Sequence, residues 1–228
     1  MKGTIQVYNS LKDFIFRNQI LPGERIYLDD LSKKMNISIT PLREALNRLV
    51  QEGLVCHNAN RAYFLRIISI DEVIQLYEFC EALETYAIEQ AAKNITPQDL
   101  SDLQQNLMRY KKAIEEHYTR DRFLINNEFH LRIARLSQNS IIVENLEKAF
   151  EKIVWKWKVE NIMLGRGPEA FDEHWAIYAS LENHDVAGAV TTMRDHIITT
   201  KEDVVRILRA KESLFTGSGQ NENVNKPL

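Results

Sequence analysis

Apolar and polar positions alternate along this chain with two different periods. From Thr4 to Asn18, the residues Ile5, Tyr8, Leu11, Ile15 and Phe16 recur at helical spacing, and Leu21-Pro22-Gly23 interrupts them, so a first helix ends near Gln19. Ile26 and Leu28 lead into Asp29, which reads as the N-cap of a short second helix with Leu31 and Met35 inward and a stop around Asn36. Ser38-Ile39-Thr40-Pro41 then offers capping hydroxyls and a proline that only a first helical turn tolerates, which starts a third helix. Its buried stripe is Leu42, Leu46, Leu49 and Val50, leaving Ile39, Arg43 and Asn47 on the solvent side. Gly53 ends it. The apolar runs Leu54 to Cys56 and Tyr63 to Ile68, separated by polar His57-Asn58-Ala59-Asn60-Arg61, read as a β-hairpin.

Three helices and a hairpin in that order predict a winged helix-turn-helix over residues 1–68. From Asp71 onward the period is helical throughout, with breaks at Ile95-Thr96-Pro97, Tyr118 to Arg120, Ser137 to Ser140, Gly165 to Pro168 and Asn183 to Asp185. Helices are expected near 71–93, 97–117, 121–137, 140–162, 168–182 and 185–213. The expected architecture is therefore mainly α: the winged helix, then an all-helical antiparallel bundle over 71–213. The Gly-, Ser- and Asn-rich end, 214–228, is expected to be a disordered tail.

Composition supports two domains in 228 residues: 44% apolar and 27% charged positions with 8 Gly and 5 Pro suffice for a core. The net charge of -3 is unevenly spread, because residues 1–68 carry 10 Lys and Arg against 6 Asp and Glu, and the remainder 19 against 26. A basic lobe on an acidic body suits a protein that touches DNA with one domain and does something else with the other. No window has the uninterrupted apolar length of a membrane helix and the start lacks a signal-peptide pattern, so a cytoplasmic protein with no membrane partner is expected. Two cysteines, Cys56 and Cys80, make neither a disulfide framework nor a thiolate zinc site.

On the third helix, Arg43 and Asn47 are one turn apart and are residue types that bond guanine and adenine edges. Ser38 and Thr40 stand where phosphate oxygens would meet a helix start, and Arg61 at the hairpin tip can add a backbone or minor-groove contact. In the second domain, Asn126 and His130 share a helix face, and His174 and His196 lie on two further helices. Three imidazoles converging in a bundle would suit a divalent ion such as zinc or nickel.

Leu21-Pro22-Gly23-Glu24-Arg25-Ile26, Asn36 to Leu49 and Glu52-Gly53-Leu54-Val55 closely resemble the GntR family of regulators, and Asp71 to His196 is similar to that family's FadR-type C-terminal ligand-binding (FCD) domain. The resemblance implies a homodimer on a palindromic double-stranded operator, and a metal held by the family's Asp, His, His, His set. Here these positions are Asn126, His130, His174 and His196. The chain departs from the pattern at Ile39, where the family has Arg, at Ala62 in place of the wing-tip Gly, at Asn126 in place of Asp, and at Cys80 in place of an Arg. Ile39 removes one arginine from direct readout and can still meet a thymine methyl. Asn126 withdraws a carboxylate from the metal, leaving the ion more positive toward an anion.

The function expected is a sequence-specific DNA-binding regulator whose operator affinity follows a small-molecule effector, a carboxylate, at a metal-containing site, with Cys80, Trp155 and Trp175 in the effector pocket. Alternatives are a metal that only staples helices, a module that no longer binds DNA, and a metal-dependent hydrolase. The last lacks a base: Glu173 adjoins His174 and Glu128 precedes His130 by two, each turned away around its helix.

Overall fold

A computed structural model describes residues 4–17, 20–58, 62–116, 119–159 and 165–217. The chain forms two compact units, 1–68 with 147–163, and 69–146 with 164–228.

In the first unit, α1 (Thr4–Arg17), α2 (Leu28–Met35) and α3 (Ile39–Gln51) pack around Leu11, Ile15, Leu42, Leu46 and Leu49, all buried. Val7 takes the core place expected of Ile5, which is exposed. Ile5 sits about 120° around the helix from Leu11, off the buried stripe, although its spacing to Tyr8 looks helical. Tyr27, not Asp29, is the N-cap of α2, and Asp29 lies in the first turn, where a carboxylate meets the positive end of the helix dipole. The hairpin is β2 (Val55–His57) and β3 (Tyr63–Leu65), and β1 (Arg25–Ile26) adds to the other edge of β3 in the order β1-β3-β2, all antiparallel. A strand of two residues has no periodicity to read, so the sequence pattern misses it. Gly23 and Gly53, at φ +83° and +71°, make the turns into β1 and out of α3 that a side chain would strain.

This unit also contains the second half of α7 (Ser140–Val159), from Glu147 on. There Glu151 pairs with Lys12 and lies 3.4 Å from the Tyr8 hydroxyl, which donates at 2.5 Å to Glu52. Trp155 packs edge-on to Phe16 at 4.9 Å, and Lys156 Nζ donates to the Ile68 carbonyl at 2.5 Å.

The second unit is built on α4 (Ile70–Asn94), α5 (Pro97–Glu115), α6 (Thr119–Leu136), α8 (Gly167–Glu182) and α9 (Val186–Gly217). Ser69 caps α4 and a Thr96–Asp99 capping box starts α5. The packing pairs α4–α9, α9–α8, α8–α5, α5–α6 and α6–α4 close a ring, so each of these five helices has a face toward a common centre. Helix α9 runs to Gly217, past the 213 expected, and the rest of the tail lies outside the described residues. Among the described residues no helix is long and apolar enough to cross a membrane.

Candidate metal centre and DNA-reading face

The centre of the ring collects side chains from all five helices. His130 from α6, His174 from α8 and His196 from α9 are buried, and one nitrogen of each lies within 4.8 Å of the others. His174 Nε2 and His196 Nε2 are 3.3 Å apart. Glu84 from α4, 3% exposed, accepts from His130 Nδ1 at 2.5 Å, and Glu173 accepts from His196 Nδ1 at 2.7 Å. Phe129 stacks on His174 at 4.6 Å, and Tyr110 from α5 meets the same ring edge-on at 5.4 Å.

These contacts set the tautomers. With Nδ1 of His130 and His196 donating to carboxylates, their Nε2 lone pairs are left to point elsewhere, an arrangement typical of metal-ligating histidines. Burial first, then the neighbouring imidazoles and Arg166, hold His174 well below the ordinary histidine range; burial lowers His196 too, against the opposing pull of Glu173. Neutral imidazoles are the form that ligates a metal. Ligand nitrogens around an ion with bonds of about 2.0–2.1 Å sit about 3.3 Å apart in a tetrahedral site, which the His174–His196 separation matches. Three buried neutral imidazoles are a donor set that suits a divalent transition-metal ion. Among the described residues His174 Nδ1 is buried with no hydrogen-bond partner, so this histidine lacks the carboxylate support that the other two have there.

Asn126, one turn ahead of His130, is half-buried, its Nδ2 3.5 Å from Asn127 Oδ1. Cys80 is buried one turn before Glu84, and burial, then the Glu84 charge, pushes its thiol well up. Neither tryptophan expected in the pocket makes a ring contact with the histidines among the described residues. Trp155 belongs to the core of the first unit, because α7 turns that face toward Phe16. Trp175, next to His174 in sequence, is turned outward, 37% exposed, between Phe171 and Tyr178.

Glu173 and Glu128 are also engaged. Glu128 is bound by Arg109 and Arg132. Glu173 crosses to His196 and accepts from Arg166 Nη2 at 2.5 Å; those bonds outweigh the effect of burial and hold its carboxyl below the usual range. Arg166 also donates to Thr200 at 2.6 Å and lies 2.9 Å from Asp203. Sequence reasoning missed Glu84, Tyr110 and Arg166. For Glu84 a signal exists: it lies on the apolar stripe Tyr77, Cys80, Ala87, Ile88, where a carboxylate is rare unless paired. A cleft lined by Asp99, Asp102, Glu128 and Arg132, between α5 and α6, holds none of the histidines; Arg132 pairs there with Asp102 and Glu128, and Asp99 accepts from Thr96.

On the first unit, Ser38 is the N-cap of α3 and its hydroxyl makes no capping bond. Ser38, Thr40, Arg43 and Asn47 are exposed and Ile39 is half-buried. Asn47 Oδ1 accepts from the Tyr63 hydroxyl at 2.7 Å, so the strand β3 holds one side chain of the exposed face of α3. Arg61 lies outside the described residues. Ala62 is buried, its N–H donating to Asn58 Oδ1 at 3.1 Å.

Residues 75–199 match the FCD domain family and residues 4–65 match the family described as bacterial regulatory proteins, gntR family. The Nta operon transcriptional regulator of Aminobacter aminovorans is 34% identical over 132 residues, 58% of this chain and 62% of its own length, so the match spans just under two thirds of that relative. The HTH-type transcriptional regulator McbR of Escherichia coli K12 is 30% identical over 66% of this chain and 68% of its own. The transcriptional repressor RspR of the same organism is 25% identical over 92% of each. Among solved structures, E. coli McbR/YncC superimposes with a TM-score of 0.71 at 25% identity, covering 92% of this chain and 100% of that one.

Proposed function

Because the chain belongs to the GntR family of transcription regulators and carries an FCD domain, a non-enzymatic class in which metal binding is common, we propose that its operator affinity is set by a carboxylate effector at a metal held by the histidine cluster. The observation that carries this reading is the convergence of His130, His174 and His196, two of them oriented by buried or half-buried carboxylates. His130, His174 and His196 would hold the ion, with Asn126 as a fourth ligand. Such an ion supplies positive charge in a water-poor site and so attracts an anionic group. Glu84 and Glu173 orient the imidazoles and supply counter-charge.

On the DNA side, Arg43 and Asn47 read base edges from the exposed face of α3, Ile39 lies against the bases, Ser38 and Thr40 bond phosphates, and Arg61 adds a wing contact. The protein acts as a cytoplasmic homodimer on a palindromic operator, and two half-sites are read together only when the two recognition helices are correctly spaced. An effector that binds one arrangement better than another shifts operator affinity by that difference.

Elemental analysis of the purified protein tests the carrying observation: about one zinc or nickel per chain, lost in His174→Ala, is expected. Carboxylates titrated against operator binding with metal fixed then separate regulation from stapling, since a purely structural ion leaves DNA affinity unchanged. Absence of metal in every preparation, including after zinc or nickel is added, overturns the site; failure to bind any genomic fragment overturns the operator.

A further inference from the structure

Among the described residues of the second unit, α5, α6, α8 and the first half of α7 each leave one large apolar side chain exposed, Met108, Leu124, Trp175 and Ile141, whereas α4 leaves two, Phe79 and Tyr86, at 42% and 48%. These two are a heptad apart, so they share one face of the helix, with exposed Ala82 between them. The same alternating spacing of three and four continues outward to Gln75 before them and to Glu89 and Lys93 after them, exposed or half-buried, a seam about 27 Å long. It is the pattern of a helix that packs on another helix. The opposite face of α4, with Tyr77, Cys80, Glu84, Ala87 and Ile88, is buried in the ring. The charges that flank the seam are engaged within the chain: Glu78 lies 3.8 Å from Lys201, Glu81 3.5 Å from Arg194, and Glu89 2.7 Å from Lys93.

We propose that this outward face of α4 is where two copies of the chain meet, packed antiparallel about Ala82. The inference rests on the homodimer reading, and adds the surface and the direction of pairing. A second copy is the occupant because the seam is complementary to itself. A two-fold axis at Ala82 sets the two small side chains face to face, which lets the helices approach closely, and brings Phe79 of each copy between Ala82 and Tyr86 of the other. The same axis puts the acidic first turn of α4, Asp71 and Glu72, beside Lys93 in the last turn of the other copy's α4. A parallel pairing would instead set the two acidic turns against each other. Aromatic anchors at the centre of a polar rim are also what protein interfaces favour.

Sedimentation and oxidative cross-linking of the full chain, in a Cys56→Ser background that keeps only the buried Cys80, test this. The chain is expected to sediment as a dimer. Phe79→Glu should raise the dimer dissociation constant by at least about 30-fold and Phe79→Leu should leave it nearly unchanged, with the helical circular dichroism of both retained. Ala82→Cys should cross-link under mild oxidation, and Gln104→Cys, exposed on α5, should not. Gln75→Cys combined with Glu89→Cys should cross-link while neither does so alone, because only an antiparallel pair brings one to the other. A monomer overturns the face together with the homodimer reading beneath it. A dimer that Phe79→Glu leaves intact, or that cross-links through Gln104→Cys rather than Ala82→Cys, overturns the face alone. Cross-linking through Gln75→Cys by itself overturns the antiparallel direction.

Discussion

A carboxylate inside an apolar helix face is stable only where a hydrogen-bonding group meets it, and at Glu84 that group is His130 Nδ1. Glu84→Gln keeps the size and an acceptor and removes the charge. Metal affinity measured by chelator competition is expected to fall about 10- to 100-fold, with the fold retained by thermal unfolding; an unchanged affinity would show that Glu84 is only packing. His174 and His196 predict a pH dependence. Both are lowered chiefly by burial, so in metal-free protein the unfolded chain binds more protons than the folded one below the ordinary histidine value of 6.5. Stability is therefore full above that value and falls as pH drops below it, by up to about 1.4 kcal/mol per pH unit for each histidine, until the lowered folded-state values are reached. Thermal melts of chelator-treated protein should be level from about pH 8 to 7 and decline toward pH 5, with a shallower decline in His174→Phe.

Among the elements, α3 combines a buried stripe that any helix of this pattern would have with an exposed face whose geometry depends on β3. The Tyr63 hydroxyl holds Asn47 Oδ1, while the Tyr63 ring is buried and rests against His57 at 4.6 Å. Tyr63→Phe keeps the packing and releases Asn47. Stability should drop by only about 1 kcal/mol, while discrimination among single-base operator variants, measured by fluorescence anisotropy, should relax at the base facing Asn47. A uniform loss of affinity across all variants would instead mean that Asn47 reads no base. The periodicity of α3 shows which face is free; only the neighbouring strand shows that one of its side chains is held.

For the whole molecule, the division of α7 matters most. Its second half lies in the same compact unit as the winged helix, with Glu151 on Lys12, Trp155 on Phe16 and Lys156 on the Ile68 carbonyl. Trp155, 2% exposed, is therefore part of the DNA-binding unit's core. Trp155→Ala should destabilise that unit by about 3–5 kcal/mol and weaken operator binding on mild heating, with metal content unchanged. Loss of metal with intact DNA binding would place Trp155 at the effector site instead.

Much of this protein is legible in the linear chain. Proline, glycine and a period of 3.6 act over a few residues, so the order of helices, the turn at Gly53 and the exposed Arg43 and Asn47 follow from local pattern, whereas His130, His174 and His196 stand out in the sequence only through the family resemblance. What the pattern cannot carry is which buried face meets which. Glu84 and His130 are 46 positions apart, Glu173 passes its own neighbour His174 to reach His196, and Trp155 packs on a helix at the other end of the chain. Periodicity encodes that a side chain is turned inward. Only the packing of α4, α5, α6, α8 and α9 into a ring, and of late α7 onto α1, decides what it finds there.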